Sequence, residues 1–169
     1  MKKNLTLTGM MGVGKSTVGK ALSKKLLMQF SDVDKIIEEK IGMSIQEIFE
    51  KKGELFFRKI EEKITLEISQ KKDAIISLGG GAFMNSSIRK NILSTSMSFW
   101  LDLDIKLLEK RLIKSKKRPL LNSVNLRETL EKLFKERKNT YATANCRIKC
   151  DELTSKLITN KIIKLYASN

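Results

Sequence analysis

The sequence predicts an α/β fold, a parallel sheet with helices on both faces. Three observations carry that expectation. Short apolar segments free of breakers alternate with stretches of helical periodicity along the whole chain, and strands separated by helices pair in parallel. A glycine-rich loop stands between the first strand and the first helix. The 169 residues hold one proline and no Pro/Gly/Ser-rich linker, so a single domain over residues 1–169 is expected.

The first strand is Asn4 to Thr8, short and rich in Leu and Thr. Gly9 to Thr17 follows as Gly-Met-Met-Gly-Val-Gly-Lys-Ser-Thr, whose frame of Gly9 with Gly14-Lys15-Ser16 fits the phosphate-binding loop G-x-x-x-x-G-K-[ST]. Val18, Ala21, Leu22 and Leu26 recur at helical spacing, so the loop opens a helix. Strand, loop and helix together point backbone N–H groups and a helix N-terminus at one spot, where a polyphosphate replaces water as their partner. The expected cradle is Gly12, Val13, Gly14, Lys15, Ser16 and Thr17, with Lys15 reaching the β and γ phosphates and the Ser16 hydroxyl on Mg²⁺. The plain alternative is a glycine-rich turn with a coincidental Lys-Ser.

Leu27 to Ser31 is a second strand running into Asp32-Val33-Asp34. At a period of two, both carboxylates face the same way at the strand's carboxyl end, where open α/β sheets place ligands. One can then hold Mg²⁺ through water while the other takes a proton from a hydroxyl; equally, one can simply N-cap the helix that begins near Lys35. That helix stops at Gly42. Ser44 and Glu47 form a capping box for the next, which ends at Gly53. A longer helix over Glu54 to Gln70 buries Phe57, Ile60, Ile64 and Ile68. On it, Arg58 and Glu61 stand three apart, close enough for the carboxylate to orient the guanidinium; Glu54 and Glu62 are equally available for an ordinary surface pair.

Ala74 to Leu78 is a continuous apolar strand ending in Gly79-Gly80-Gly81. Three glycines in a row sacrifice backbone entropy, and what they permit is close approach of a ligand to the main chain; a flexible turn is the simpler reading. A helix around Ser86 to Ile92, a strand from Met97 to Leu101 and a helix capped by Asp104 and carrying Arg111 come next. Residues 114–125 are basic, polar and centred on Pro119, as a lid over a phosphate site would be, or a plain surface connection. Leu126 to Ala142 is helical with Arg137 late in it, Cys146 to Lys149 is the last strand, and Leu153 to Tyr166 the closing helix.

The balance of 34 basic against 19 acidic residues gives +15, but the lysines are spread over several helix faces and few aromatics lie among them. No nucleic-acid partner is expected. No apolar run approaches membrane-spanning length, and the chain enters a strand at once, so neither a membrane nor a leader is expected and the location is expected to be cytoplasmic. Cys146 and Cys150 would lie roughly 13 Å apart on a strand, too far for a disulfide, and the absence of His excludes a Cys/His zinc site.

Taken together, Gly9 to Gly19, Asp32-Val33-Asp34, Phe57-Arg58-Lys59-Ile60-Glu61, Gly79-Gly80-Gly81, Arg118-Pro119-Leu120-Leu121 and Glu136-Arg137 with Tyr141 resemble shikimate kinase over nearly the whole chain. The resemblance implies a nucleoside-monophosphate-kinase-like P-loop fold with a five-stranded parallel sheet and a lid. It implies transfer of the ATP γ-phosphoryl group to the 3-hydroxyl of shikimate, with Mg²⁺, in aromatic amino-acid synthesis, and a monomer is expected. By the same likeness Asp34 bonds the acceptor hydroxyl and Asp32 holds Mg²⁺ through water. Arg58, Arg137, Gly80 and Gly81 bind shikimate, the two arginines on its carboxylate. Arg118 meets the phosphates, and Arg111 lies beside the adenine. The rest of the adenine pocket falls in the loop near Lys149 to Glu152, with no side chain assigned to the base. Gluconate kinase, another P-loop enzyme, is the rival that shares Lys15, Ser16 and a lid; it gives no reason for the triple glycine with Arg58 and Arg137.

Overall fold

In the computed structural model, which describes residues 4–114 and 125–168, five parallel strands form one sheet in the order β2-β3-β1-β4-β5. The strands are β1 (Asn4–Thr8), β2 (Gln29–Asp32), β3 (Ala74–Ser77), β4 (Ser96–Asp102) and β5 (Cys146–Lys149). The central three, buried along almost their whole length, read as continuous apolar and small-polar runs because helices cover both of their faces.

The helices are α1 (Lys15–Leu26), α2 (Val33–Ile41), α3 (Ile45–Lys52), α4 (Glu54–Ser69), α5 (Ser86–Thr95), α6 (Ile105–Lys114), α7 (Leu126–Tyr141) and α8 (Ser155–Ala167). Right-handed crossovers in a sheet of this order put α1 on one face and α4 and α5 on the other. The packing agrees, with α1 against α8 and α4 against α2, α3 and α5. A short 3₁₀ turn, Ala82–Met84, joins the end of β3 to α5.

Local signals account for most boundaries. The Ser44–Glu47 capping box is present, with the Glu47 carboxylate accepting from Ser44 N at 2.9 Å and Ser44 Oγ accepting from Glu47 N at 3.2 Å. The Ser44 N–H and hydroxyl, which both donate to the Glu47 carboxylate, together with Lys51 hold that carboxyl down at about 2. Asp104 starts α6 by accepting from Lys106 N at 2.8 Å. Phe57, Ile64 and Ile68 are buried on α4 as the periodicity requires, whereas Ile60 is only half-buried. Cys146 and Cys150 are free thiols. Among the described residues no helix is long and apolar enough to cross a membrane.

Two expectations at the second strand are corrected. Leu27 does not begin it: it is the left-handed C-cap of α1, at φ 56° and 92 % exposed, where glycine is the usual residue. Nor do Asp32 and Asp34 share a strand face. β2 ends at Asp32, which N-caps α2 by accepting from Lys35 N at 3.5 Å, and Asp34 lies in the first helical turn. The capping propensity of Asp32 outweighed the extension of the strand.

Candidate active site

At the carboxyl end of β1 the chain turns into the glycine loop because Gly9 has φ +136°, and a Cβ there would lie 2.4 Å from the Leu101 carbonyl oxygen. Only a glycine permits both the angle and the approach. Within the loop, Lys15 is nearly buried and its Nζ donates to the Gly9 and Met10 carbonyls at 2.8 and 2.9 Å. The cation that the sequence assigns to a polyphosphate is thus held over the loop. Ser16 Oγ donates to Asp32 Oδ2 at 2.5 Å, so the two residues predicted to hold Mg²⁺ meet, one from the loop and one from the end of β2. A hydroxyl and a carboxylate are hard oxygen donors. Two of them beside a phosphate cradle suit Mg²⁺, which keeps water and phosphate oxygens for its remaining positions. Arg111 reaches across from α6 and donates to the Val13 carbonyl at 3.1 Å. Gly12, Val13 and Gly14 are therefore walled by α6, and Thr17 is exposed beyond Ser16.

The triple glycine is where the remaining residues converge. A Cβ on Gly79 would lie 2.7 Å from Asp34 Oδ1 and 2.7 Å from Glu61 Oε1. One on Gly80 would lie 3.2 Å from the Met11 nitrogen of the phosphate loop and 3.7 Å from Arg137 Nη1, and one on Gly81 2.8 Å from both terminal nitrogens of Arg58. Four separate stretches of chain, the phosphate loop, the start of α2, the middle of α4 and the end of α7, thus pack on three residues that have no side chains. The Gly80 carbonyl accepts from Arg137 Nη1 at 3.2 Å and from the Tyr141 hydroxyl.

Both readings of Arg58 are realised at once, a surface pair with Glu54 on one edge and a buried carboxylate that orients the guanidinium on the other. Glu61 is only 1 % exposed and accepts from Arg58 Nη1 at 2.7 Å, while Glu54, at the solvent side, takes the other edge of the guanidinium at 3.2 Å. Glu62 turns away to accept from Asn85 Nδ2 at 2.9 Å. Among the described residues Glu61 Oε1 has no hydrogen-bond partner, and it is the atom facing Gly79. Burial pushes the Glu61 carboxyl above its ordinary value of 4.5; Asp34 adds to that, and Arg58 and Arg137 oppose it.

A carboxyl raised on folding stabilises the native state fully below its ordinary value, and that contribution is lost as pH rises through the raised one. At neutral pH the ionised Glu61 is therefore disfavoured in the fold relative to its neutral form, which Gln resembles. Glu61→Gln is expected to melt a few degrees higher than the unaltered chain at pH 7, with the gap closing toward about pH 4. Thermal melts across that range check it, and a lower Tm at pH 7 would refute it.

Arg118 lies outside the described residues, as does most of the segment predicted to be a lid. In the loop after β5, Asp151 Oδ1 accepts from Asp104 N at 2.7 Å, tying that loop to the start of α6. Burial pushes the adjacent Cys150 thiol up to about 11, so it stays protonated. Sequence reasoning did not assign Gly79 to the site; its only signal was its place as the first of three glycines.

The family model described as shikimate kinase matches residues 11–167. A shikimate kinase from Sulfurihydrogenibium sp. is 43 % identical over 161 residues, covering 95 % of this chain and 96 % of that protein. The solved structure of shikimate kinase from Acinetobacter baumannii in complex with shikimate superposes with a TM-score of 0.94 at 34 % identity, covering 99 % of this chain and 94 % of that one. A gluconokinase from Sinorhizobium meliloti superposes at a TM-score of 0.62 and 13 % identity, over 99 % of this chain and 93 % of that one, a likeness of fold alone. A family match over nearly the whole length, on a chain whose Asp34, Arg58, Glu61 and Arg137 gather at the triple glycine, makes this chain a member of the shikimate kinase family.

Proposed function

We propose that the chain transfers the γ-phosphoryl group of ATP to the 3-hydroxyl of shikimate, giving shikimate 3-phosphate and ADP. The observation that carries this reading is the gathering of a carboxylate, two guanidinium groups and a phosphate loop around Gly79-Gly80-Gly81. A small polyhydroxy acid needs a planar two-pronged cation for its carboxylate, which Arg58 and Arg137 offer and a lysine does not. Half-buried backbone at Gly80 and Gly81 suits its hydroxyls, and Asp34, beside Gly79, takes the 3-hydroxyl.

In the reaction the hydroxyl oxygen forms a bond to the γ-phosphorus, its proton passes to the Asp34 carboxylate, and the bond to the β–γ bridging oxygen breaks to release ADP. Phosphoryl transfer asks the protein mainly for position and neutralised charge. Lys15 leaves the Gly9 and Met10 carbonyls for the β and γ phosphates, the loop N–H groups from Gly12 to Thr17 hold the remaining oxygens, and Arg118 supplies a further cation from the lid. Ser16 and Asp32, the latter through water, would hold Mg²⁺, which supplies charge neutralisation on the phosphates when bound. Arg111, already against the loop at Val13, borders the adenine.

A coupled ADP-release assay with shikimate, gluconate and nucleoside monophosphates tests the assignment. Turnover of shikimate above the others is the expected result, and turnover only of the others would remove it. Arg58→Lys should raise KM for shikimate by about tenfold, because one planar fork is lost, and leave KM for ATP near its original value. Equal rises for both substrates would count against a carboxylate contact by Arg58.

A further inference from the structure

We infer that Tyr141 is a positioning residue for the acid substrate: its hydroxyl holds the Gly80 carbonyl so that Arg137, which shares that oxygen, is free to turn to the substrate carboxylate. This rests on the function proposed above.

Arg137 and Tyr141 stand one turn apart on α7 and donate to the same carbonyl oxygen, which has a lone pair for each. The two donors are mounted very differently. Tyr141 is fully buried and its ring stacks on Trp100, with centroids 5.9 Å apart. Trp100 in turn lies under the Arg147 guanidinium at 4.6 Å, and Arg147 is tied to Asp102 at 2.6 Å. Arg137 is only half-buried, on a long stem. Burial pushes the Tyr141 phenol above its ordinary value of 10.0, so it remains a donor throughout the working range.

The consequence follows from the cost of stranding a polar group. A part-buried carbonyl deprived of its donor is penalised, so a lone Arg137 on Gly80 would be held there against the incoming carboxylate. With Tyr141 fixed on the same oxygen, Arg137 leaves without stranding it. The anchored carbonyl also fixes the Gly80–Gly81 peptide, since in a trans unit the Gly81 N–H points opposite to the Gly80 oxygen, away from α7. The glycine backbone thus stays aimed while the arginine moves.

Tyr141→Phe keeps the stacked ring and removes one oxygen. Steady-state kinetics of the variant should show KM for shikimate raised about tenfold, with kcat and KM for ATP within about twofold of the unaltered enzyme. A purely structural role would instead lower Tm and move kcat and both KM values together. In the unaltered enzyme, a measurement that does not depend on the variant folding, the Tyr141 hydroxyl proton followed by NMR should persist at saturating shikimate while the Arg137 guanidinium signals shift. Loss of that proton signal on shikimate binding, an unchanged shikimate KM in Tyr141→Phe, or an equal rise for ATP each overturns the inference. If the unaltered enzyme fails to turn over shikimate, the function proposed above falls and this inference with it; turnover alongside an unaffected variant overturns this inference alone.

Discussion

Asp34→Asn is expected to lower kcat by about 10²–10⁴-fold while leaving the Kd for ADP unchanged, the range typical of losing one general base. The substitution keeps the shape of the side chain and removes its capacity to take a proton. Its surroundings make the loss specific. Asp34 sits in the first turn of α2, where a negative charge suits the helix N-terminus, with Oδ1 against Gly79 and its carboxylate close enough to Glu61 to raise that group. It is thus set at the triple glycine, whereas Lys15 and Ser16, the residues proposed to hold the nucleotide, belong to α1. Nucleotide affinity and turnover should therefore separate. A kcat within about threefold of the original would remove the general-base role. Because one negative charge beside Glu61 is gone, the Glu61 carboxyl should also titrate lower in this variant, which an NMR pH titration reads directly.

How far such a site is legible beforehand depends on whether its parts are set locally. The phosphate loop is local: Gly9, Gly14, Lys15 and Ser16 lie within one strand–turn–helix, and the turn geometry demands those residue types. Capping at Ser44 and Glu47 is local too, and β1 and β5 emerge at the predicted bounds because apolar runs with sharp ends leave little choice. The β2–α2 junction was misjudged because Asp-Val-Asp satisfies both a strand period and a helix cap, and only the pairing of Asp32 with Ser77 and the bond from Ser16 decide where extension stops. The partner of Arg58 could not be chosen from spacing, since Glu54 and Glu61 both qualify on one helix. What separates them is that α4 turns Glu61 inward to Gly79 and leaves Glu54 in water. Tyr141 is a further case. One hydroxyl at the end of α7 gains meaning only from a carbonyl 61 residues earlier.

Gly79→Ala should cost at least about 10²-fold in kcat/KM for shikimate with only a modest fall in Tm, because the glycine there serves approach rather than backbone angle. The added methyl would meet Asp34 Oδ1 and Glu61 Oε1, each at 2.7 Å, well inside contact distance. Both are ends of side chains, so they can swing aside and the fold survives. What does not survive is their placement. In the proposed reaction a displaced Asp34 would no longer meet the acceptor hydroxyl, and a displaced Glu61 would release the Arg58 nitrogen it holds at 2.7 Å, so the proposed base and carboxylate fork would fail together; misplacements near 1 Å are enough for losses of about 10². Gly9→Ala supplies the contrast. There the methyl would meet a backbone oxygen, Leu101 O at 2.4 Å, in a residue at φ +136°, so neither side can yield and stability should fall steeply. Kinetics, ADP affinity and melting measured on both variants distinguish the two kinds of glycine. If Gly79→Ala retained its kcat/KM, or lost ADP affinity in parallel with it, the convergence of Asp34 and Glu61 on this backbone would not be what organises the acceptor site.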